Sequence, residues 1–266
     1  MKQRVFSALI ALLIMIPIYL IGGTLFTIAI YILSILGLRE FIKAKETKKE
    51  LPLFVNFISY IILTLLVLFN LSTDTLVFTV DYRIIVGLFL VFLIPAVLYH
   101  NREIYSIVDA FYLIGGIFFL GTSFSLIIAL RHYSMETLLY LFIITMITDS
   151  YAYIVGRLVG KHKLLTDISP NKTWEGTIGG TFFGCLVGVV FYHVVVDASL
   201  PFMTLILMTL FLSLLGQFGD LSFSAIKRYY GKKDFSNIMP GHGGILDRLD
   251  SIIFVVLGFM FFISII

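Results

Sequence analysis

The sequence predicts an all-α polytopic membrane protein with about nine transmembrane helices. Of its 266 residues, 59% are hydrophobic and only 13% are charged, and the mean hydropathy is +1.04; soluble domains carry about 25% charged residues. Apolar runs long enough to cross a bilayer recur along the whole chain. Because such a chain has no polar shell for a water-soluble core, a soluble enzyme and a secreted scaffold are both excluded.

The first apolar pattern extends from residue 5 to residue 38, which is too long for one span. As a single helix it would measure about 51 Å, against a bilayer core of about 30 Å, so we expect a turn at Gly22-Gly23. No cleavage site follows and the chain never becomes hydrophilic, so residues 5 to 21 are interpreted as a span and not as a signal peptide. Seven further runs complete the nine predicted spans: 53 to 71, 84 to 99, 107 to 130, 138 to 156, 177 to 196, 200 to 219 and 252 to 266.

The basic residues predict the orientation. With nine spans, all but two of the 19 lysines and arginines lie on the same side as the N-terminus, the exceptions being Arg83 and Arg131. Lys and Arg accumulate on the cytoplasmic side of membrane proteins, so we predict a cytoplasmic N-terminus and a C-terminus outside. The charge run 39 to 50 is expected to be a solvated connector near anionic lipid.

The predicted organisation has two parts. Residues 1–132 form N-terminal transmembrane helices with about five spans, and residues 133–266 form catalytic transmembrane helices with cytoplasmic loops 157–176 and 220–251. The single cysteine, Cys185, allows neither an intramolecular disulfide nor a thiolate metal cluster. The net charge of +3 is too small to indicate nucleic-acid binding.

Four aspartates carry the first chemical signal. Asp149 lies inside the apolar run 138 to 156, where a charge costs roughly 2.5 to 3.5 kcal/mol on insertion scales. Asp220 closes one span, and Asp247 and Asp250 open the next, on one helical face at i, i+3 spacing. Mg²⁺ takes oxygen ligands, usually one or two carboxylates plus substrate phosphates. We therefore predict that these aspartates bind a divalent cation; for Asp149 the alternative is a carboxylate satisfied by neighbouring hydroxyls or a basic partner.

Basic and glycine residues accompany these carboxylates. A polyphosphate substrate needs cations as well as a metal, although such residues at a membrane boundary also serve as lipid-facing anchors. The glycines Gly243 and Gly244 let a backbone approach a ligand closely, and His242 suits a proton carrier, a phosphate donor or a plain polar contact. The basic residues are Lys227, Arg228, Lys233 and Arg248.

The inward segment 169 to 176 holds a second candidate. Lys172 and Thr173 at the start of a helix can bind phosphate, while Glu175 can serve as an N-terminal cap. On the following span, glycines recur every four residues, which suits close helix packing inside the fold or across a dimer. These glycines are Gly180, Gly184 and Gly188.

Together these residues resemble the CDP-diacylglycerol synthases, also called phosphatidate cytidylyltransferases. The family signature reads Ser-x-aliphatic-Lys-Arg, four residues, Lys-Asp, a spacer, then His-Gly-Gly-aliphatic-x-Asp-Arg-x-Asp. It is matched here by 224 to 228, Lys233-Asp234 and 242 to 250, and 169 to 176 is similar to a second recurrent stretch. Met239 stands where Leu or Ile is expected. The matched segments cover about 35 of the 266 residues, and the long signature has many fixed polar positions.

The resemblance implies a reaction in phospholipid biosynthesis. CTP and phosphatidic acid give CDP-diacylglycerol and pyrophosphate at the cytoplasmic side of the cell membrane, with Mg²⁺, Mn²⁺ as an alternative, and room for a second cation. Asp220 and Asp247 are the implied main metal ligands, with Asp149 and Asp250 completing or orienting the site. The implied catalytic residues are Asp220, Asp247, Lys227, Arg228 and Arg248; the implied substrate-binding residues are Lys172, Thr173, Ser224, Lys233, Asp234, His242, Gly243 and Gly244.

Two other functions remain open from the residues. A CTP-dependent polyprenol kinase would release CDP instead of pyrophosphate. An ion-coupled transporter would use Asp149 and Asp220 in an ion pathway, but it would be expected to show repeats and interrupted helices in both halves. The expected partners are CTP, phosphatidic acid, membrane lipid and a second copy of the chain in a homodimer, with no nucleic acid.

Overall fold

The computed structural model of the protein describes residues 2–46, 49–68, 81–99, 101, 103–238, 241 and 243–265, with side chains from residue 9 onward. Nine α-helices follow one another within these residues. Each overlaps one of the predicted apolar runs, so the predicted all-helical architecture is confirmed. The helices are α1 (Lys2–Ile21), α2 (Gly23–Glu46), α3 (Leu53–Leu68), α4 (Tyr82–Leu98), α5 (Ile107–Tyr133), α6 (Met135–Val159), α7 (Trp174–Phe191), α8 (Phe202–Tyr229) and α9 (Leu246–Ile263).

Several of these helices can cross a membrane. In the part of the chain that the structure describes, five are long and apolar enough: α2, α5, α6, α8, and α7 together with the π-helical turn Tyr192–Val196. Helices α3 and α4 and the Leu9–Ile21 part of α1 are apolar but shorter. The protein is therefore an integral membrane protein with several candidate spans, and the number nine for the spans stays a prediction.

The break between α1 and α2 lies at Gly22 and Gly23, as predicted. Both residues have a left-handed backbone, with φ of +69° and +56°, which glycine adopts without a steric cost. The Arg131 guanidinium donates hydrogen bonds of 2.8 Å and 3.1 Å to the carbonyls of Tyr19 and Leu20. Since the last carbonyls of a helix lack intrahelical partners, Arg131 caps the C-terminal end of α1.

The chain divides into two compact units. Unit 1 comprises residues 1–133 and 230–247, and unit 2 comprises residues 134–229 and 248–266. The segment 230–247, which the sequence division assigned to the C-terminal part, packs with the N-terminal helices in unit 1.

Helix α5 forms the centre of unit 1, where it contacts α2, α3 and α4. Glycines allow two of these approaches. A Cβ at Gly116 would overlap the Phe41 ring, and a Cβ at Gly121 would lie 2.9 Å from Leu66. Most of the α5 side chains are consequently buried.

The predicted glycine stripe of α7 packs inside unit 2. A Cβ at Gly180 would lie 2.6 Å from the carbonyl oxygen of Thr148 in α6, and one at Gly184 would overlap the hydroxyl of the same residue. A Cβ at Gly188 would lie 2.7 Å from Thr209 of α8. Small residues thus let α7 approach both neighbouring helices closely. This is one of the two roles that the sequence left open, and it removes the observation that supported a dimer.

A short antiparallel hairpin joins α6 to α7, which the all-α prediction missed. Strand β1 (Lys163–Leu165) pairs with β2 (Ser169–Thr173), with Lys163 opposite Thr173 and Leu165 opposite Ser169. Both strands are short, and neither Lys-Leu-Leu nor Ser-Pro-Asn-Lys-Thr has the alternation of apolar and polar residues that indicates a half-buried strand. The hairpin delivers the end of β2 directly to the first residue of α7.

The solvated connector predicted for residues 39 to 50 is wrong for residues 39–46, because α2 continues through them to Glu46; residues 47 and 48 lie outside the described residues. Glu40 is only 1% exposed and Lys45 only 5%. Lys45 forms an ion pair with Asp109 of α5, whose second oxygen accepts a 2.7 Å hydrogen bond from Lys49. Ionisable side chains can be buried when they are paired, and hydropathy does not reveal such pairing.

Candidate active site

Lys172, near the end of β2, forms an ion pair with Asp220 of α8. Nζ lies 2.7 Å from Oδ2, and the two side chains are 23% and 33% exposed. Lys172 also donates a 3.4 Å hydrogen bond to the carbonyl of Gln217, while the Ser224 hydroxyl donates one of 3.4 Å to Oδ1 of Asp220. Both charges are therefore held in place and remain reachable by a ligand.

Two more carboxylates approach Asp220 in unit 2. Asp149 of α6 and Asp250 of α9 each interact electrostatically with Asp220 and with each other. Asp250 is 8% exposed, whereas Asp149 is exposed. Neighbouring carboxylates disfavour each other's charged form unless a cation balances them. The structure thus places three of the four aspartates that the sequence nominated for a metal within range of electrostatic interaction with one another.

Basic side chains of α8 lie in the same unit. Lys227 is 7% exposed and interacts electrostatically with Asp250. The exposed Arg228 donates a 3.3 Å hydrogen bond from Nε to the carbonyl of Ile168, in the hairpin connection. Lys172 and Lys227 therefore supply positive charge to the aspartate cluster, defined here as Asp149, Asp220 and Asp250.

The start of α7 is capped by Thr173. Its hydroxyl accepts a 3.1 Å hydrogen bond from the backbone amide of Gly176, and the residue is 6% exposed. Glu175 was expected as a cap. Its Oε1 instead lies 2.6 Å from Nδ1 of His162 and accepts a 3.2 Å hydrogen bond from the backbone amide of the same histidine. Glu175 thus fastens the hairpin to α7, and a role of Thr173 in phosphate binding stays a prediction.

At the start of α9, the Asp247 carboxylate folds back onto its own helix terminus. Oδ2 accepts hydrogen bonds from the amides of Gly244 at 2.8 Å and Phe235 at 2.9 Å. Gly243 has a φ of +86°, and a Cβ at this position would lie 2.8 Å from that carboxylate oxygen. Only glycine fits both the backbone and the space. Asp247 lies in unit 1, in the turn Gly243–Asp247.

Glu40 of α2 binds this turn, and the sequence prediction missed it. Its carboxylate accepts hydrogen bonds from the hydroxyl of Ser236 and from the amides of Ile245 and Leu246. Glu40 follows the apolar part of α2 directly, in a run that hydropathy assigned to solvent. Its position two residues after Leu38, at the very edge of the apolar part of α2, is the signal that could have drawn attention to it.

The remaining predicted site residues are less enclosed. The side chains of Arg248, Lys233 and Asp234 are exposed. His242 lies outside the described residues, as do Met239 and Pro240 of the same stretch.

The donor chemistry of the aspartate cluster fits a divalent cation. Among the described residues, no three His, Cys, Asp or Glu side chains stand together as a ready metal site. Mg²⁺ does not require one, because it commonly binds through one or two carboxylates and completes its octahedron with water and substrate phosphates. Three mutually repelling carboxylates with Lys172 and Lys227 beside them meet that requirement.

Comparison with known proteins gives a match over nearly the full chain. The model of the cytidylyltransferase family matches residues 2–266. The chain is 39% identical over 257 residues to the phosphatidate cytidylyltransferase of Staphylococcus haemolyticus, 37% to that of Staphylococcus aureus (strain COL) and 35% to that of Staphylococcus saprophyticus, with 96% of each chain covered. With a family match from residue 2 to the last residue and relatives aligned along almost their entire length, this protein belongs to the cytidylyltransferase family.

Proposed function

We propose that the protein is a phosphatidate cytidylyltransferase, which converts CTP and phosphatidate to CDP-diacylglycerol and pyrophosphate. The full-length similarity to proteins of that name supports this function. The observation that carries it at the site is the ion pair of Lys172 with Asp220, beside Asp149 and Asp250. Such a cluster offers both a cation site and fixed ammonium groups to a polyphosphate.

The proposed chemistry is one in-line displacement. A phosphate oxygen of phosphatidate attacks the α-phosphorus of CTP, the new P–O bond forms, and the bond to the β-phosphate oxygen breaks so that pyrophosphate leaves. No covalent intermediate with the protein is needed. Lys172 and Lys227 neutralise charge that grows on the leaving pyrophosphate, which is the main need of phosphoryl and nucleotidyl transfer.

Asp149, Asp220 and Asp250 would hold the divalent cation, Mg²⁺ or in its place Mn²⁺. When bound, the cation supplies positive charge to phosphate oxygens and helps to orient them. The assignment of Asp247 as a further ligand stays a prediction from the signature, as do a second cation and the substrate contacts of Arg228, Arg248, Lys233 and Asp234. Lys172 is already fixed by Asp220, so it loses little side-chain freedom when it meets a phosphate.

We also propose that the N-terminus and the aspartate cluster face the cytoplasm and that the C-terminus faces outward. The distribution of basic residues supports this orientation, and CTP is a cytosolic substrate. In a Cys185→Ser background, a membrane-impermeant maleimide should label Ser199→Cys in intact cells and label Lys163→Cys only after permeabilisation. The reverse pattern would overturn the orientation. The homodimer stays a prediction.

The test of function uses purified protein, phosphatidic acid, Mg²⁺ and CTP labelled at either the α- or the γ-phosphate. Cytidylyl transfer puts the α label into lipid and the γ label into pyrophosphate. A polyprenol kinase, given its own lipid, puts the γ label into lipid. Lipid labelling from α-labelled CTP, abolished by EDTA and restored by Mg²⁺, is expected; γ-labelled lipid, or no CTP consumption by folded protein, would refute the proposal.

A further inference from the structure

We infer that Glu40 is a positioning residue for the reaction, which holds the turn Gly243–Asp247 and, through it, the Asp247 carboxylate. The inference rests on the proposed function. Glu40 is 1% exposed, so it acts through the turn and not by touching a substrate.

Three donors converge on the Glu40 carboxylate. Oε1 accepts from the Ser236 hydroxyl at 2.6 Å and from the Ile245 amide at 2.9 Å, and Oε2 accepts from the Leu246 amide at 2.9 Å. A buried carboxylate with this many hydrogen bonds is fixed in one orientation, because the loss of any one leaves a buried polar group unsatisfied.

Two carboxylates share the amides at the start of α9. Gly244 donates to Asp247, and the next two residues, Ile245 and Leu246, donate to Glu40. The N-terminal amides of a helix have no intrahelical acceptors and carry partial positive charge, so both carboxylates are stabilised there. A displacement of Glu40 would consequently move the amide that holds Asp247.

The donors to the two carboxylates are also neighbours in sequence. Phe235 donates to Asp247, while the adjacent Ser236 donates to Glu40. Gly244 donates to Asp247, while the adjacent Ile245 donates to Glu40. Glu40 therefore fixes both segments, Phe235-Ser236 and Gly244-Ile245, from which Asp247 receives its hydrogen bonds.

The backbone at Gly244 packs closely against the Glu40 carboxylate. A Cβ at Gly244 would lie 2.5 Å from Oε1 and 2.6 Å from Oε2 of Glu40. The backbone of the turn is thus in close contact with the Glu40 carboxylate, and a shorter or reoriented side chain at position 40 would remove this contact from the turn.

The test replaces Glu40 by glutamine in the full-length protein. Glu40→Gln keeps the size of the side chain, but its NH₂ group cannot accept the hydrogen bonds that one oxygen now accepts. We expect kcat per folded molecule to fall by about 10- to 100-fold, the range for partners that orient an active-site ligand. The matched control is Glu46→Gln on the same helix, where the carboxylate accepts one 2.9 Å hydrogen bond from Asn56. This control should leave kcat unchanged.

Hydrogen exchange gives a readout that does not depend on turnover. In Glu40→Gln the amides of Ile245 and Leu246 should exchange faster, and the rise in Tm caused by CTP with Mg²⁺ should shrink. If Glu40→Gln has a lower Tm but the kcat and KM of wild type, Glu40 only supports the fold and the inference fails. Unchanged exchange at these amides would also overturn it.

Ser236→Ala keeps the inference testable should Glu40→Gln not fold, since it removes one of the three donors and no buried charge. A fall in kcat with an unchanged Tm supports the positioning role, and wild-type kcat refutes it. A wild-type protein that makes no CDP-diacylglycerol would refute the proposed function, while the exchange experiment would still test the contacts of Glu40.

Discussion

Lys172 and Asp220 are joined by a 2.7 Å ion pair that connects the hairpin strand β2 to the C-terminal half of α8. The same Asp220 interacts electrostatically with Asp149 and Asp250, and Lys172 and Lys227 supply the positive charge beside these three acids. The pair is only partly enclosed, and exposed or half-exposed ion pairs contribute little to stability. Its location is better explained by ligand binding than by folding.

The first prediction concerns this lysine. Lys172→Met should lower kcat/KM for CTP by about 100-fold, the effect of removing one group that stabilises developing charge, with little change in Tm. Lys163→Met, on the paired strand β1, is the matched control and should retain activity. An equal fall of kcat/KM for CTP in Lys163→Met would contradict this role of the ion pair.

Asp220→Asn should abolish turnover at any Mg²⁺ concentration, because the amide removes the charge that the cation and Lys172 both require. Asp197→Asn is the control. In the contacts described, the exposed Asp197 carboxylate accepts hydrogen bonds from the amide and the hydroxyl of Ser199 only. Initial rates over a Mg²⁺ titration distinguish the two. Activity of Asp220→Asn that recovers fully at high Mg²⁺ would mean that this carboxylate is not essential.

Glycine packing in unit 2 gives a stability prediction. Gly180→Ala should lower the free energy of unfolding by about 1 to 3 kcal/mol, the cost of overpacking, because the new Cβ would lie 2.6 Å from a backbone carbonyl of α6. Gly115→Ala in α5 meets no atom within 4 Å and should be neutral or stabilising by up to about 1 kcal/mol. Tm values of the two purified variants, compared with wild type, check this difference; equal Tm values would contradict it.

The buried ion pair of unit 1 should depend on both partners. Asp109→Asn leaves Lys45 and Lys49 without their shared carboxylate and should cost about 3 kcal/mol of the free energy of unfolding. The double variant Asp109→Asn/Lys45→Met removes one stranded charge and should recover part of the loss. A double variant less stable than Asp109→Asn would show that the pairing is not the source of the effect.

Hydropathy was sufficient to predict the helices, because a segment that crosses lipid must satisfy its backbone hydrogen bonds internally. The length of the first apolar run and its glycine pair also located the break at Gly22-Gly23, where both residues have a left-handed backbone. Hydropathy could not find the β1–β2 hairpin, because strands of three and five residues are too short to show a clear period. Nor could it show that 230–247 packs with the N-terminal helices, since that depends on side-chain contacts.

The four aspartates could be nominated from the sequence because a charge in or beside an apolar run is unusual, and their role as metal ligands stays a prediction. Asp149, Asp220 and Asp250 interact electrostatically in unit 2. Glu40 was not predictable, because its partners are more than 190 residues away in sequence and two of them are backbone amides. Glu175 was misassigned because both it and Thr173 can cap a helix, and only the backbone geometry decides between them.

The contacts of Glu40 also constrain how the protein is made. Residues 40 and 245 are separated by 205 positions, which a ribosome needs roughly 10 to 40 s to translate at about 5 to 20 residues per second. During that interval α2 is already synthesised, but Glu40 lacks the Ser236 hydroxyl and the Ile245 and Leu246 amides that donate to it in the folded protein. The packing around Glu40 is therefore completed only after residue 246 has been synthesised, and a nascent chain that stops before residue 236 holds this acid without any of the three donors that satisfy it in the folded protein.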